Sequence, residues 1–426
     1  MTGEPTTATE KDASRQYDVL LFGATGYTGK LCAEYIHTKL PSDLRWAIAG
    51  RSLDKLTSVL DMLKSYDSSI ALPAIEVCGL EADQVRKLAQ KAQVVISTVG
   101  PYQNYGETMF QACAQTGTHY LDCTGETPWI LEMIAKYEAT AQGTGAIMIP
   151  SCGFDSVPSD MSAFVVVDHI RTKYSSHTAK VDCSLHEIRG SVSGGTVRSV
   201  INAFDLYSLS DLFKKMAPFS LSPRHPAQRH PRQKFSFSAN IFGLRYVSGL
   251  GWMGVNPQGL IDRCYVNRSW GLIADSEPGT YGGNFDFHAW VRMPGPVRAI
   301  FWHFSLVIAM MMLCVPPIRW LVTRFCFKPG DGPTESFRQQ CSFEYRTSAI
   351  ADNMQGQQVV GRLKFSGDPY VFTALCLGEV ALLLSRDTGT LARLQGGGIL
   401  TTALLGSRFL DSLQENGVEV EIKEVV

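Results

Sequence analysis

Over the first 150 residues, short apolar blocks alternate with stretches whose apolar positions recur at helical spacing. The first block, Tyr17–Phe22, runs into Gly23-Ala24-Thr25-Gly26-Tyr27-Thr28-Gly29, and Lys30–Leu40 then reads as a helix stopped by Pro41. A second strand is expected at Trp46–Ala49, closed by the turn Gly50-Arg51-Ser52 and followed by a helix to about Ser65. Further strands are expected at Ile75–Cys78, Val94–Val99, His119–Cys123 and Ala146–Ile149, with helices at Glu81–Ala92, Glu107–Thr116 and Pro128–Ala141. Blocks apolar on both faces, separated by helices, predict βαβ units and an α/β fold with a parallel, doubly wound sheet.

The pattern changes from about Val181. Strand-like segments at Val181–Ile188, Phe235–Phe242, Phe285–Val291, Phe343–Thr347 and Gly356–Phe365 lack regular crossover helices, which predicts a mixed or antiparallel sheet in a second, α+β domain. The C-terminal part reads as an apolar helix (Tyr370–Ser385), the loop Gly396-Gly397-Gly398, a segment Ile399–Asn416 and a strand Val418–Ile422. One run stands apart: Ala299–Val315 is almost wholly apolar, lies between Pro296 and Pro316-Pro317, and is flanked by Arg292, Arg298, Arg319, Arg324 and Lys328. Its length sits at the lower edge of the roughly 20 residues that span a bilayer. Three readings stay open: a helix on a membrane or lipid-droplet surface, a buried core helix or homodimer contact, and a true span.

Charged residues make up 19% of the chain, below the usual ~25%, and Lys+Arg 39 against Asp+Glu 40 leaves a net charge of −1. No global field attracts nucleic acid, and Arg224–Lys234, with its prolines, reads as a solvated loop. Eleven cysteines without a Cys-x-x-Cys pair suit reduced thiols and no metal centre. Residues 1–16 are polar, without an apolar signal core, so the expected location is cytoplasmic, with a membrane or lipid-droplet surface as an alternative address.

Glycines between a strand and a helix let the backbone turn tightly and approach a pyrophosphate, which the helix N-terminus then receives. Here they fall as GxxGxxG, at Gly23, Gly26 and Gly29. An acid after the second strand would bind the ribose hydroxyl of NAD. Arg51 followed by Ser52 suits a 2′-phosphate instead, so NADP(H) is the expected cofactor. Ser97-Thr98-Val99-Gly100-Pro101, ending the fourth strand, and Asp122, ending the fifth, are expected along the nicotinamide half, at the carboxyl ends of the strands. Asp122, Asp155 and Ser156 read equally well as helix caps. Tyr35 and Lys39 fit a Tyr-x-x-x-Lys pair but lie on the first helix, away from any nicotinamide. Gly194-Gly195-Thr196 reads as a tight turn or an anion cradle, and Glu379 as a paired helix residue.

GATGYTG, AGRS, STVGPY, HYLDCTGE, SCGFDSVPSD and the C-terminal GGGILTTALLGSRFLDSLQENGVEVEI together resemble the saccharopine dehydrogenase-like oxidoreductases, and within them the trans-acting enoyl reductases. The resemblance runs from Asp18 to the C-terminus. It implies a disordered tail over 1–16, an NADP-binding Rossmann domain over 17–160, an α+β substrate domain over 161–368, and a return segment over 369–426 that packs back on the first domain. It also implies NADP-dependent reduction of the C=C bond of an α,β-unsaturated acyl or polyketide substrate, free or carrier-bound, in trans to a synthase. Such a reaction needs a proton at the α-carbon, and from position on the rim Tyr102, then Asp155, then Cys152 are expected to supply it or hold the carbonyl. Reduction of an imine or ketone, which calls for a polar pocket, and a non-catalytic lipid-surface protein that keeps the nucleotide fold are the alternatives.

Overall fold

The computed structural model describes residues 15–190, 194–226, 241–276, 280–325, 335–387 and 389–425. In chain order its first strands are β1 (Tyr17–Phe22), β2 (Trp46–Gly50), β3 (Ala74–Val77), β4 (Ala92–Ser97), β5 (His119–Asp122), β6 (Ile147–Ile149) and β7 (Thr178–Arg189). Then come β8 (Arg245–Val247), β9 (Gly251–Val255), β10 (Asp286–Arg292), β11 (Ser342–Ala351), β12 (Gln358–Phe365), β13 (Gly398–Ile399) and β14 (Val418–Val425). The helices of the first part are α1 (Tyr27–Lys39), α2 (Leu53–Tyr66), α3 (Ala82–Ala89), α4 (Tyr102–Tyr105), α5 (Glu107–Thr116) and α6 (Thr127–Thr144). They are followed by α7 (Val157–Tyr174), α8 (Gly194–Leu206), α9 (Leu209–Lys215), α10 (Gly259–Ser276), α11 (Pro296–Leu313), α12 (Pro316–Phe325), α13 (Glu335–Arg338) and α14 (Pro369–Arg386).

The chain forms two compact units. The first comprises Met1–Thr124, Glu132–Gly153 and Tyr370–Leu400; the second comprises Gly125–Leu131, Phe154–Pro369 and Thr401–Val426. The expected return segment therefore divides: Tyr370–Leu400 belongs to the first unit, whereas Thr401–Val426 belongs to the second, where β14 pairs with β12. That pairing draws the C-terminus to the second sheet, because Val418–Val425 fills an edge of β12 over eight residues.

In the first unit a seven-stranded sheet runs β3-β2-β1-β4-β5-β6-β13, and every pair is parallel. This is the doubly wound order with one strand added beyond β6. Val19, Leu20 and Leu21 of β1 and Val94, Val95 and Ile96 of β4 are wholly buried, which is why these blocks are apolar on both faces. Helix α1 is tied to α14 by the Tyr35 hydroxyl, which donates to Glu379 Oε1 at 2.7 Å. That bond gives Tyr35 a structural role and makes Glu379 the paired helix residue it was expected to be. The expected disordered tail ends sooner than 16: Arg15 is buried, and its guanidinium donates to the carbonyls of Ala89, Ala92 and Thr116 and to Thr118 Oγ1. Residues 1–14 lie outside the described residues.

The second unit holds a mixed sheet in the order β14-β12-β11-β7-β10-β9-β8, parallel only between β7 and β10. Most of the expected strand at Phe235–Phe242 lies outside the described residues, and Ile241 and Phe242 lie in a helical turn; β8 and β9 form a hairpin farther on. Helices α7 and α10 add layers that the strand pattern did not announce. Asp160 on α7 accepts from Ser269 Oγ on α10 (2.5 Å), from Thr402 Oγ1 (2.8 Å) and from the Ala403 N–H (2.8 Å), pinning three segments to one buried carboxylate. The apolar run at 299–315 forms α11, in which Ala299 alone of eighteen residues is buried, so it is not a core helix. The comparably apolar α14 is 67% buried.

Candidate active site

The phosphate loop lies in the first unit between β1 and α1. Gly23 has φ +93°, and a Cβ there would sit 2.8 Å from Val99 Cγ2 and 2.9 Å from Thr98 Oγ1. A Cβ on Gly29 would strike the Gly23 carbonyl oxygen and lie 2.9 Å from Ala24 Cα. Both glycines are thus fixed by the close approach of the loop to the end of β4, with the Thr98 hydroxyl facing the Phe22 and Gly23 carbonyls at 3.2 and 3.1 Å. Helix α1 begins after an N-cap, Gly26, that places no side chain over the helix end, and its first turn has no acid. As in any α-helix, the N–H groups of that turn have no intrahelical acceptor. With Thr25, Tyr27 and Thr28 half-buried around it and Ala24 packed beneath, this cradle fits a dinucleotide pyrophosphate.

Arg51, directly after β2, is exposed. The Ser52 oxygen accepts from the Lys55 N–H at 3.4 Å as the N-cap of α2. Its hydroxyl proton remains a donor. A guanidinium and a hydroxyl proton at this strand end fit a ribose 2′-phosphate. Thr98 and Val99 form the floor below Gly23, Ser97 pairs with Phe22, and Gly100 and Pro101 lead into α4.

Three rim residues have structural employment. The Tyr102 hydroxyl is buried, donates to the Ser97 carbonyl at 2.9 Å and meets Cys123 Sγ at 3.4 Å. Burial, followed by the Cys123 and Asp122 neighbourhood, pushes it well above the ordinary phenol range. Cys152 is fully buried with its thiol toward the Cys376 carbonyl at 3.7 Å, and burial raises it well above the ordinary thiol range. In both, the proton stays on the phenol or thiol, and the polar atom already has a partner within the first unit. Asp122 is also fully buried: its Oδ1 accepts the N–H groups of Thr124 and Ser151, each at 2.9 Å. Through these bonds it braces the loops after β5 and β6.

Asp155 differs. It belongs to the second unit, is half-buried, and burial pushes its carboxyl up to about 6. Its carbonyl is held by the Gln258 side-chain amide at 2.6 Å, which fixes the loop ahead of α7. Asp262, at the start of α10, is fully buried; burial, then the Asp155 and Asp160 carboxyls, raise it well above the usual carboxylate range. The Tyr345 phenol on β11 is raised by burial and by Asp262, Cys183 and Asp155. Beside this acid group stand aromatic rings: Phe154 meets Phe343 edge-on at 4.9 Å and Tyr345 at 6.3 Å. An acid that titrates near neutrality next to an aromatic wall can deliver a proton in surroundings that accept hydrocarbon. Asp262, Tyr345 and Phe343 carried no sequence signal, being far apart in the chain and in no motif.

Residues 19–149, which include the glycine cradle, match the saccharopine dehydrogenase NADP binding domain, so the cofactor is NADP(H). A putative trans-acting enoyl reductase of Mycobacterium tuberculosis is 31% identical, over 96% of this chain and 97% of its own length. The chain belongs to the saccharopine dehydrogenase-like oxidoreductases. A trans-acting enoyl reductase of Mycobacterium ulcerans is 28% identical over 96% of this chain and 98% of its own. Apo saccharopine dehydrogenase (L-Glu forming) from Saccharomyces cerevisiae shares the fold, with a TM-score of 0.54 at 11% identity over 96% of this chain and 99% of that one. This family member is accordingly an NADP-dependent oxidoreductase, with the Rossmann-type sheet and the second mixed sheet that the resemblance implied.

Proposed function

We propose that the protein reduces the C=C bond of an α,β-unsaturated acyl substrate, working in trans on chains made by a separate synthase. The end-to-end similarity to trans-acting enoyl reductases supports the reaction class. The observation that carries it is Asp155, a half-buried carboxyl with a pKa near 6, beside Phe154, Phe343 and Tyr345. Bound NADPH supplies the hydride that the β-carbon takes up.

The chain's own part is to bind, orient and protonate. The glycine cradle and the α1 N-terminus hold the pyrophosphate, and Arg51 with Ser52 holds the 2′-phosphate. Asp155 gives its proton to the α-carbon as the enolate collapses, leaving a carboxylate that solvent reprotonates. Burial, then the Asp155 and Asp160 carboxyls, raise Asp262 well above the usual carboxylate range, which disfavours a second negative charge beside the spent acid. The aromatic wall favours an acyl chain over an amino acid, whose charged groups would need partners there.

The test is NADPH oxidation by the full chain with 2-enoyl thioesters of increasing chain length, against a keto acid plus an amine. Turnover of the enoyl series with formation of the saturated thioester supports the reading. Turnover with only the keto acid and amine replaces it with imine reduction, and NADPH binding without any turnover replaces it with a non-catalytic role.

A further inference from the structure

We propose that helices α11 and α12 dock the protein on an anionic phospholipid surface, as a peripheral hairpin rather than a span. The apolar face is large and uncovered: Phe301 is 76% exposed, Met311 64% and Trp320 64%, with Ile308 between them. Soluble surfaces rarely leave contiguous large side chains in this state without a partner. Leu206 is exposed as well, at the end of α8, the helix that α12 contacts through Arg319 and Asp205.

Two observations choose lipid as the occupant. The first is charge: positions 287–330 contain Arg292, Arg298, Arg319, Arg324 and Lys328 and no Asp or Glu. A Trp at the hairpin's base and arginines at its ends are the side chains that settle at a headgroup boundary. The second is how the hairpin is moored. Ala299 is buried, the Trp302 Nε1–H donates to the Val255 carbonyl on β9 at 2.9 Å, and His303 packs over Gly243. Arg319 pairs with Asp205 on α8 at 2.8 Å and donates to the Leu313 carbonyl at 2.8 Å, fastening α12 back to α8 and α11. The first turns of α11, residues 299–303, are therefore committed to the second unit, while residues 308–312 are all exposed. Anchored by these turns, α11 leaves about ten residues free, roughly half of the ~20 that a span needs, so it can lie in a headgroup layer but not cross a bilayer.

The test is flotation of the full chain with phosphatidylcholine vesicles, with and without phosphatidylserine, for wild type and for the triple variant Phe301→Ser/Met311→Ser/Trp320→Ser. Wild type is expected to float with the phosphatidylserine vesicles, and less so as salt is added. Each large side chain removed should weaken partitioning about tenfold. The triple variant should then remain in solution while binding NADPH as wild type does. The charge variant Arg298→Glu/Arg324→Glu should lose the preference for phosphatidylserine, and it decides alone if the triple variant misfolds. Wild type that ignores both vesicle types, or a folded triple variant that floats as well as wild type, overturns the proposal. So does a wild-type dimer that the triple variant dissolves without any vesicle binding, which would give the face to a second copy of the chain.

Discussion

Replacing Asp155 by Asn separates the acid's chemical role from its cost to the fold. Burial lifts this carboxyl from the ordinary 3.8 to about 6. A shift of about two units corresponds to about 3 kcal/mol. Because the folded state has the higher pKa, it holds the proton more tightly than the unfolded chain does. The stability that Asp155 contributes is therefore full below about pH 4, is lost as pH rises toward about 6, and stays lost above it. An amide never ionises and escapes that loss. Asp155→Asn should thus be nearly neutral for stability at pH 4 and should gain up to about 3 kcal/mol over wild type at pH 8. Turnover should nevertheless fall by about two to four orders of magnitude, the usual contribution of a positioned acid. Urea unfolding of both proteins at the two pH values, with NADPH oxidation alongside, measures each part. Asp160 also titrates near 6, so the difference between variant and wild type is the quantity to read, not the slope of either. A variant that is less stable than wild type at pH 8 by more than at pH 4 would show that the ionised carboxylate is stabilised, and would refute the burial argument.

Wild-type turnover should decline about tenfold per pH unit above about 6, as the acid loses its proton, and a pH–rate profile that stays flat to pH 8 would remove Asp155 from the role. Gly29→Ala should abolish NADPH binding measured by fluorescence titration, because its new Cβ meets the Gly23 carbonyl backbone rather than a movable side chain. Arg51→Ala should lower the preference for NADPH over NADH by about 1.5–3 kcal/mol, or roughly 10- to 150-fold, with NADH affinity little changed in the same titrations. Arg15→Ala should cost about 2–4 kcal/mol in urea unfolding, since it removes a charged donor from the buried Ala89, Ala92 and Thr116 carbonyls, while leaving nucleotide preference as it was.

What could be read in the sequence was set by how each segment is buried. β1, β2, β4 and β5 are buried on both faces, so their central residues are apolar and stand out as blocks. Helix α5 was legible to its ends, Glu107 and Thr116, because Gly106 and Gly117 flank it. Helix α10 was not legible, because Cys264, Tyr265, Val266, Asn267, Arg268 and Ser269 are all buried and no single apolar stripe appears. The hairpin of β8 and β9 escaped for a different reason: its strands are short and interrupted by Gly249, Gly251 and Gly254. In the site, the glycine cradle and Arg51 followed from spacing, since backbone approach and phosphate recognition impose residue types. The acid did not. Tyr102 is on the rim by chain position, yet its hydroxyl folds back onto Ser97, and only coordinates show which way a side chain points. Asp155, Asp262 and Tyr345 come together through three separate elements, a relation that no local pattern encodes.

The strand β13 carries a consequence for how the protein is made. It completes the first sheet by pairing Gly398 and Ile399 with Ile147 and Met148, roughly 250 residues earlier in the chain. During synthesis, β6 must therefore wait as an open strand edge while the whole of the intervening polypeptide emerges from the ribosome. Such an edge is a template for pairing with other chains, and long-range parallel pairing is slow to close. The nascent protein is thus most exposed to aggregation late in translation, after its nucleotide-binding core has formed and before its last strand arrives. Chains released before residue 398 carry that edge permanently. A cell that expresses this protein well has to shelter the β6 edge over that interval, and truncated or stalled products should appear preferentially bound to chaperones.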